Sequence, residues 1–349
     1  MLEERVRSRA ITDDEVRVAD FIKSGWYVDD GGTSVGSFEE AKKLTSGTDK
    51  ELASINMRVK GWTYSFNDPP PEVSDDGTSV AFAGMRWIPS VDSFSLKIQE
   101  LHFGKKKRGR YPENLVKFDG KFGLSLEEFV PETLSRRMCT SVVARIFDIP
   151  GYLAPLSLKL KFDLRRILEA NPSWDDTMSP CLRSLWIANF RFIDEMRDIM
   201  YVRCKVPEDT LRTSVRIWIL GDASPLGGII VCAYSGHERK DGLWSSDLLF
   251  AKNLLCPPGW TTPQAELHAL SSIANMAKVL EDALGSWIEV LHAGSDSTIA
   301  ISWAIYEKVR LHIFHRLCVS NIRNKLDFGN LFHVDGKENA SDIGTRPDL

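Results

Sequence analysis

After Pro207 the spacing of apolar residues changes, and the order of elements that follows leaves few folds open. Val215 to Leu220, Ile229 to Ser235 and Asp247 to Leu255 read as three successive strands. A helix is expected from about Pro263 to Leu284, then a strand from Ile288 to Ala293, two more helices and a short strand from Leu331 to Val334. Three strands, a helix, then alternating strand and helix imply a mixed sheet covered by helices. No internal repeat is present.

The chain has 349 residues, too many for one ordinary core, so two or three domains are expected. From about Leu126 to Cys204 the pattern is helical, with Ser135 to Phe147, Leu156 to Ala170 and Pro180 to Met200 separated by Pro150-Gly151 and Asn171-Pro172. Further upstream, the loose alternation from Val16 to Val28 and the turn chemistry of Asp29-Asp30-Gly31-Gly32 read as a hairpin. Ser37 is a cap for a helix reaching Ile55, with Glu39 and Glu40 in its first turn. Asn67 to Gly77, holding Pro69 to Pro71, reads as a loop. Phe82 to Trp87 and Ser93 to Ile98 read as a second hairpin. The expected division is 1–115, 116–208 and 209–349.

Hydrophobic residues at 43% and charged residues at 26% give the balance of a globular protein, and no apolar run is long enough to span a membrane. Met1 to Arg9 lack the apolar core of a secretory signal. The six cysteines show no C-x-x-C spacing, which favours reduced thiols in the cytoplasm or nucleus and argues against a zinc site. A net charge of -4 lacks the basic excess usual for nucleic-acid binders, and there is no such excess from Asp209 onward either. One dense basic run, Lys105, Lys106, Lys107, Arg108 and Arg110, is either a set of phosphate contacts or a solvated loop.

Four acids fall at the edges of the elements expected in the last region: Asp222 late in the first strand, Glu266 in the first helix, Asp296 just after the fourth strand, and Asp342 near the start of a final helix. Carboxylates placed where strands end converge on one cleft. Hard divalent cations such as Mg²⁺ or Mn²⁺ prefer oxygen ligands, and two of them about 3.5–4 Å apart activate a water and stabilise the leaving oxygen of a phosphodiester. A chain with 48 acidic residues offers many foursomes, so the local context decides.

Trp218-Ile219-Leu220-Gly221-Asp222-Ala223-Ser224, Ala265-Glu266-Leu267, Gly294-Ser295-Asp296-Ser297 and the segment from His333 to Asp342 occur in that order. Together they resemble the four-acid signature of type 1 ribonuclease H domains, over roughly Arg216 to Arg346. The resemblance implies a mixed five-stranded sheet with flanking helices. It also implies two metal ions held by Asp222, Glu266, Asp296 and Asp342, and cleavage of RNA paired with DNA. It further offers Ser297 as a polar neighbour and Asn339 as the residue that holds the loop before Asp342. His333, on the last strand, is read as structural.

Tyr27-Val28-Asp29-Asp30 resembles the metal-binding turn of reverse transcriptases. Gly61-Trp62 with Ser65 and Asn67, then Ala83 to Trp87, Ser141 to Pro155 and Trp174-Asp175-Asp176, resemble the Pao class (BEL/Pao) of long-terminal-repeat retrotransposons, departing from it at Ile149-Pro150. The implied architecture is α/β and α+β multidomain: a reverse transcriptase palm and thumb remnant, a mostly helical connection, and the nuclease. Only 26 residues precede Tyr27, so a polymerase site built on Asp29 and Asp30 is expected to be incomplete. The expected partners are an RNA–DNA hybrid and the remainder of a retroelement polyprotein. The competing reading is a catalytically inactive remnant or a host-adopted binding module. An unrelated metal-dependent phosphatase shares the carboxylates without the ordered motifs.

Overall fold

A computed structural model describes residues 12–65, 79–96, 98, 100–104, 116–118, 125–170, 173–212, 214–306 and 311–345. The basic run Lys105 to Arg110 and the loop Asn67 to Gly77 lie outside the described residues. Contacts divide the chain into two compact units, Met1–Lys97 with Met196–Arg203, and Ile98–Glu195 with Cys204–Leu349.

The first unit opens with a helix, α1 (Asp13–Ser24), where the sequence reads as a strand. Local chemistry explains the difference. Thr12 and Glu15 form a capping box, Asp13 and Asp14 add charge at the positive helix end, and Val18 and Phe21 are buried at helical spacing. The hairpin survives only as β1 (Trp26–Tyr27) and β2 (Asp30–Gly31), two residues each, so the turn is Val28-Asp29 and not Asp29 to Gly32. Ser37 caps α2 (Phe38–Ala53) by accepting from the Glu40 amide.

The second hairpin becomes a four-stranded antiparallel sheet in the order β3 (Val80–Phe82), β4 (Met85–Ile88), β5 (Ser93–Ser95), β6 (Met200–Val202). The last of these corrects the reading of Pro180 to Met200 as one helix. Asp92, left-handed at φ 44°, receives the Arg203 guanidinium on both oxygens at 2.6 and 2.7 Å, which ties the residue after β6 to the start of β5.

The second unit begins with α3 (Leu126–Phe129), α4 (Arg136–Val143), α5 (Ala154–Ala170) and α6 (Pro180–Glu195). Trp186 and Phe190 of α6 are completely buried. The sheet that follows comprises β7 (Val215–Ser224), β8 (Gly228–Glu238), β9 (Trp244–Leu254), β10 (Ile288–Ser295) and β11 (Leu331–His333). Its order is β11-β10-β7-β8-β9, with β7, β8 and β9 antiparallel in turn and β10 parallel to both β7 and β11. The helices α7 (Thr262–Leu284), α8 (Thr298–Ile305), α9 (Ile313–Lys325) and α10 (Asp342–Thr345) complete the fold.

Alternation in β7 turns Val215, Ile217, Ile219 and Ala223 into the core beneath α7, whose Ala265, Ala269, Ile273 and Ala277 face them. Gly221 lets the helix come close, since a Cβ there would lie 2.9 Å from Ile273 Cδ1. On the opposite face Ala154 and Leu158 of α5 pack on Ile230, Cys232 and Ala251. β8 is thus covered on both sides, which explains its nearly unbroken apolar run from Gly228 to Ala233. Each fully buried Ile or Leu here contributes about 1.5–3 kcal/mol of transfer free energy.

All six cysteines are unpaired. Among the described residues no helix is long and apolar enough to cross a membrane.

Candidate active site

Register brings the acids together. Ser295, the last residue of β10, lies opposite Gly221 of β7 on a parallel neighbour, so Asp296 and Asp222 emerge side by side at the same sheet edge. Gly221 and its neighbour Ala223 face α7, so Asp222 projects to the other side, where the Thr345 hydroxyl of α10 donates to its Oδ2. Glu266, in the first turns of α7, reaches the same edge from above, and its Oε2 accepts from Ser297 Oγ at 2.6 Å. Ser297 is buried and also caps α8 by accepting from the Ala300 amide at 3.0 Å.

Asp342 opens α10. Its amide donates to the Asn339 carbonyl, and its own carbonyl lies 3.2 Å from Thr345 Oγ1. Asn339 pins this segment to the site: its side-chain amide donates to the Gly221 carbonyl at 3.2 Å and its Oδ1 accepts from the Ser341 amide. His333 Nε2 lies 3.1 Å from the Asp296 carbonyl oxygen. The sequence reading missed Thr345. It is three residues after Asp342 on the same short helix, and that spacing is the only signal it leaves in the sequence.

Electrostatics reflects the crowding. Burial pushes the Asp222 carboxyl above the usual carboxylate range, and the charges of Asp296 and Asp342 push it further, against the pull of the Thr345 hydroxyl and the Ala223 amide. Glu266 is raised in the same way, first by burial and then by Asp296 and Asp222, against the Ser297 hydroxyl. No cation offsets the mutual repulsion at Asp222 or Glu266 among the described residues.

The donors are all carboxylate oxygens, which suit a hard divalent cation, and the mutual repulsion is what such a cation relieves. Their rotamers do not form a ready ligand shell. Among the described residues, no three His, Cys, Asp or Glu groups are placed to hold a metal ion. Asp222 and Glu266 each accept from a hydroxyl on one oxygen and keep a second oxygen for a cation.

Asp29 and Asp30 belong to the other unit. Asp29 is exposed in its turn, while Asp30 Oδ2 accepts from the Ala83 amide at 2.8 Å, tying β2 to the β3–β4 turn.

A mixed five-stranded sheet in this order, with helices on both faces and carboxylates at one edge, is a ribonuclease H-like fold. More specifically, residues 135–297 match the family model described as the Pao retrotransposon-like RNaseH-like domain. The match takes in α4 to α6 as well as Asp222, Glu266 and Asp296, and ends before Asp342. A search of curated proteins finds no match.

Several solved structures are similar at low identity. Ribonuclease H1 of the archaeon Halobacterium salinarum is 17% identical, over 36% of this chain and 89% of that one, with a TM-score of 0.22. The N-terminal ribonuclease H domain of a Mycobacterium tuberculosis protein is 14% identical, over 38% and 96%, with a TM-score of 0.26. The prototype foamy virus protease-reverse transcriptase is 12% identical, with a TM-score of 0.24. That alignment covers 99% of this chain and 46% of the viral one.

Proposed function

We propose that the second unit hydrolyses the RNA strand of an RNA–DNA hybrid, with Asp222, Glu266, Asp296 and Asp342 as ligands for two Mg²⁺ or Mn²⁺ ions. The observation that carries this reading is the meeting of these four acids at one sheet edge, where Asp222 and Glu266 are raised by burial and by their acidic neighbours. When bound, such ions supply an activated water and charge stabilisation at the leaving oxygen.

The chain's own contribution is positioning. Ser297 holds Glu266, Thr345 holds Asp222, and Asn339 fastens the segment bearing Asp342 to the strand bearing Asp222. The wide minor groove and 2′-hydroxyls of the hybrid are the features such a site reads. In this reading 209–349 is the nuclease, 116–208 its connection and 1–115 a polymerase remnant. Asp29 and Asp30 are then inherited metal-site residues, and the remainder of a retroelement polyprotein is the partner.

A second reading, a binding module that no longer turns over, is favoured by the lack of a ready three-ligand set among the described residues. Cleavage of a labelled hybrid with Mg²⁺ or Mn²⁺ separates the two. Loss of cutting in Asp222→Asn, with single-stranded and double-stranded RNA left intact by the wild type, supports the nuclease. A folded wild type that binds hybrid and never cuts it establishes the module instead.

A further inference from the structure

A cavity of about 530 Å³ wraps the free edge of β9, between α5 and the loop before it on one side and α7 on the other. Its volume is in the range of ligand sites. Several cations of this unit are neutralised: Lys159 by Asp163, Lys278 by Asp282, Arg216 by Glu289 and Arg239 by Asp209. Two lysines that line this cavity and a third beside it are in no ion pair among the described residues. Lys161 Nζ donates to Asn253 Oδ1 at 2.6 Å, and Lys325 Nζ donates to Asn275 Oδ1 at 2.5 Å, a lining residue. Lys252, exposed beside Asn253, has no carboxylate partner among the described residues.

Asparagine in these places orients an ammonium without cancelling its charge. Asn253 is itself fixed, its amide donating to the Ala154 carbonyl and to Ser157 Oγ. Lys161 is half-buried and held below the usual lysine range, first by burial and then by the Lys252 charge. The one acid lining the cavity, Asp148, spends its oxygens on the amides of Gly151, Tyr152 and Leu153. Two like charges next to a fixed amide, neither of them in an ion pair among the described residues, make a site for an anion.

Its position relates it to the carboxylates. Asp222 pairs with Ile230, and Ile230 pairs with Asn253, so Asp222 and Asn253 share one row and one face of the sheet, two strand spacings or about 10 Å apart. Arg165 extends the cationic side toward the same sheet edge, its guanidinium donating to the Cys256 carbonyl.

We propose that Lys161 and Lys252, with Lys325 alongside, form a phosphate-ester site that grips the backbone of the nucleic acid beyond the carboxylate edge. The choice of nucleic acid as ligand rests on the nuclease reading; the anion site does not.

The test is fluorescence anisotropy of a labelled RNA–DNA hybrid across a salt series with EDTA present, so that binding is read without cleavage. Lys161→Gln/Lys252→Gln is expected to bind at least tenfold more weakly and to flatten the salt slope by about 1.8, roughly 0.9 per lost phosphate contact, while Lys161→Arg/Lys252→Arg keeps wild-type affinity. If the double variant melts early, Lys252→Gln alone, at an exposed position, is expected to lower the slope by about 0.9. Unchanged affinity and slope overturn the proposal. So does a lysine-dependent response to a nucleoside monophosphate with none to the hybrid, which assigns the cavity to a free nucleotide. Lysine-dependent binding by a protein that cuts nothing removes the nuclease reading and leaves this site standing. Cutting by a wild type whose lysine variants bind normally does the reverse.

Discussion

Asp222 carries opposed demands, and they can be measured separately. A raised folded-state pKa means that the fold holds the proton more tightly than the unfolded chain does. Asp222 and Glu266 therefore favour folding below the ordinary carboxylate range, and that contribution is lost as pH rises through their raised values. Asp222→Asn removes the charge and keeps an acceptor for Thr345. In EDTA it is expected to melt above the wild type at pH 8 and close to it at pH 4. In Mg²⁺ the same change is expected to lower hybrid cleavage by roughly 10²–10³-fold, the loss of several kcal/mol of transition-state stabilisation. Thermal melts at the two pH values, set beside single-turnover rates, check both parts. Ser297→Ala leaves Glu266 without its hydroxyl partner and α8 without its cap, so it is expected to cost about 1 kcal/mol in denaturant melts, with Ser297→Thr restoring most of it. The four acids were legible because each sits in a short motif at an element edge. Thr345 was not, since a lone threonine gains meaning only when folding sets it against Asp222.

At the scale of elements, Pro150-Gly151 reads in sequence as a break between helices and turns out to be an attachment. Pro150 O accepts from the Ala251 amide, so the loop seals part of the β9 edge. Gly151 has φ +76°, and a Cβ there would strike the Ala251 carbonyl. Gly151→Ala is therefore expected to cost about 1–3 kcal/mol by equilibrium denaturation, whereas Gly242→Ala, also at positive φ but in open space, is expected to cost less.

Helix α7 makes a pH prediction. Burial lowers the His268 pKa, and its ring lies against Trp260 and Phe314. A depressed pKa gives stability above the ordinary histidine value that is lost as pH falls through the folded one. His268→Phe is expected to flatten the acid limb of the stability profile below about pH 6.5, as followed by urea midpoints. Strong periodicity made α7 and the sheet strands readable. α1 was misread because a capping box outweighed loose alternation, and β6 because its three residues pair only with a segment about a hundred positions earlier.

At the scale of the whole molecule, the sequence did not reveal how the helical region relates to the sheet. Residues 98–195 group with 204–349 in one unit, and Leu158 of α5, almost fully buried, packs on Ile230 and Cys232. Leu158→Ala is expected to cost about 2–5 kcal/mol and to shift the unfolding of that entire unit, α5 and sheet together, in one transition. Partners so distant in sequence leave no periodic trace. The net charge of -4, which by itself argues against a nucleic-acid partner, also loses force, because unneutralised lysines gather at the β9 edge in a chain with no overall basic excess.

The central claim is that four acids from β7, α7, the end of β10 and α10 act as one site. Its most direct test is single-turnover cleavage of an RNA–DNA hybrid in Mg²⁺ by Asp222→Asn, Glu266→Gln, Asp296→Asn and Asp342→Asn, each checked for folding by its melt. The wild type is expected to cut the RNA strand and each of the four variants to be slowed by at least about a hundredfold. Cleavage at the wild-type rate by any of the four variants, or none by a folded wild type, contradicts the claim.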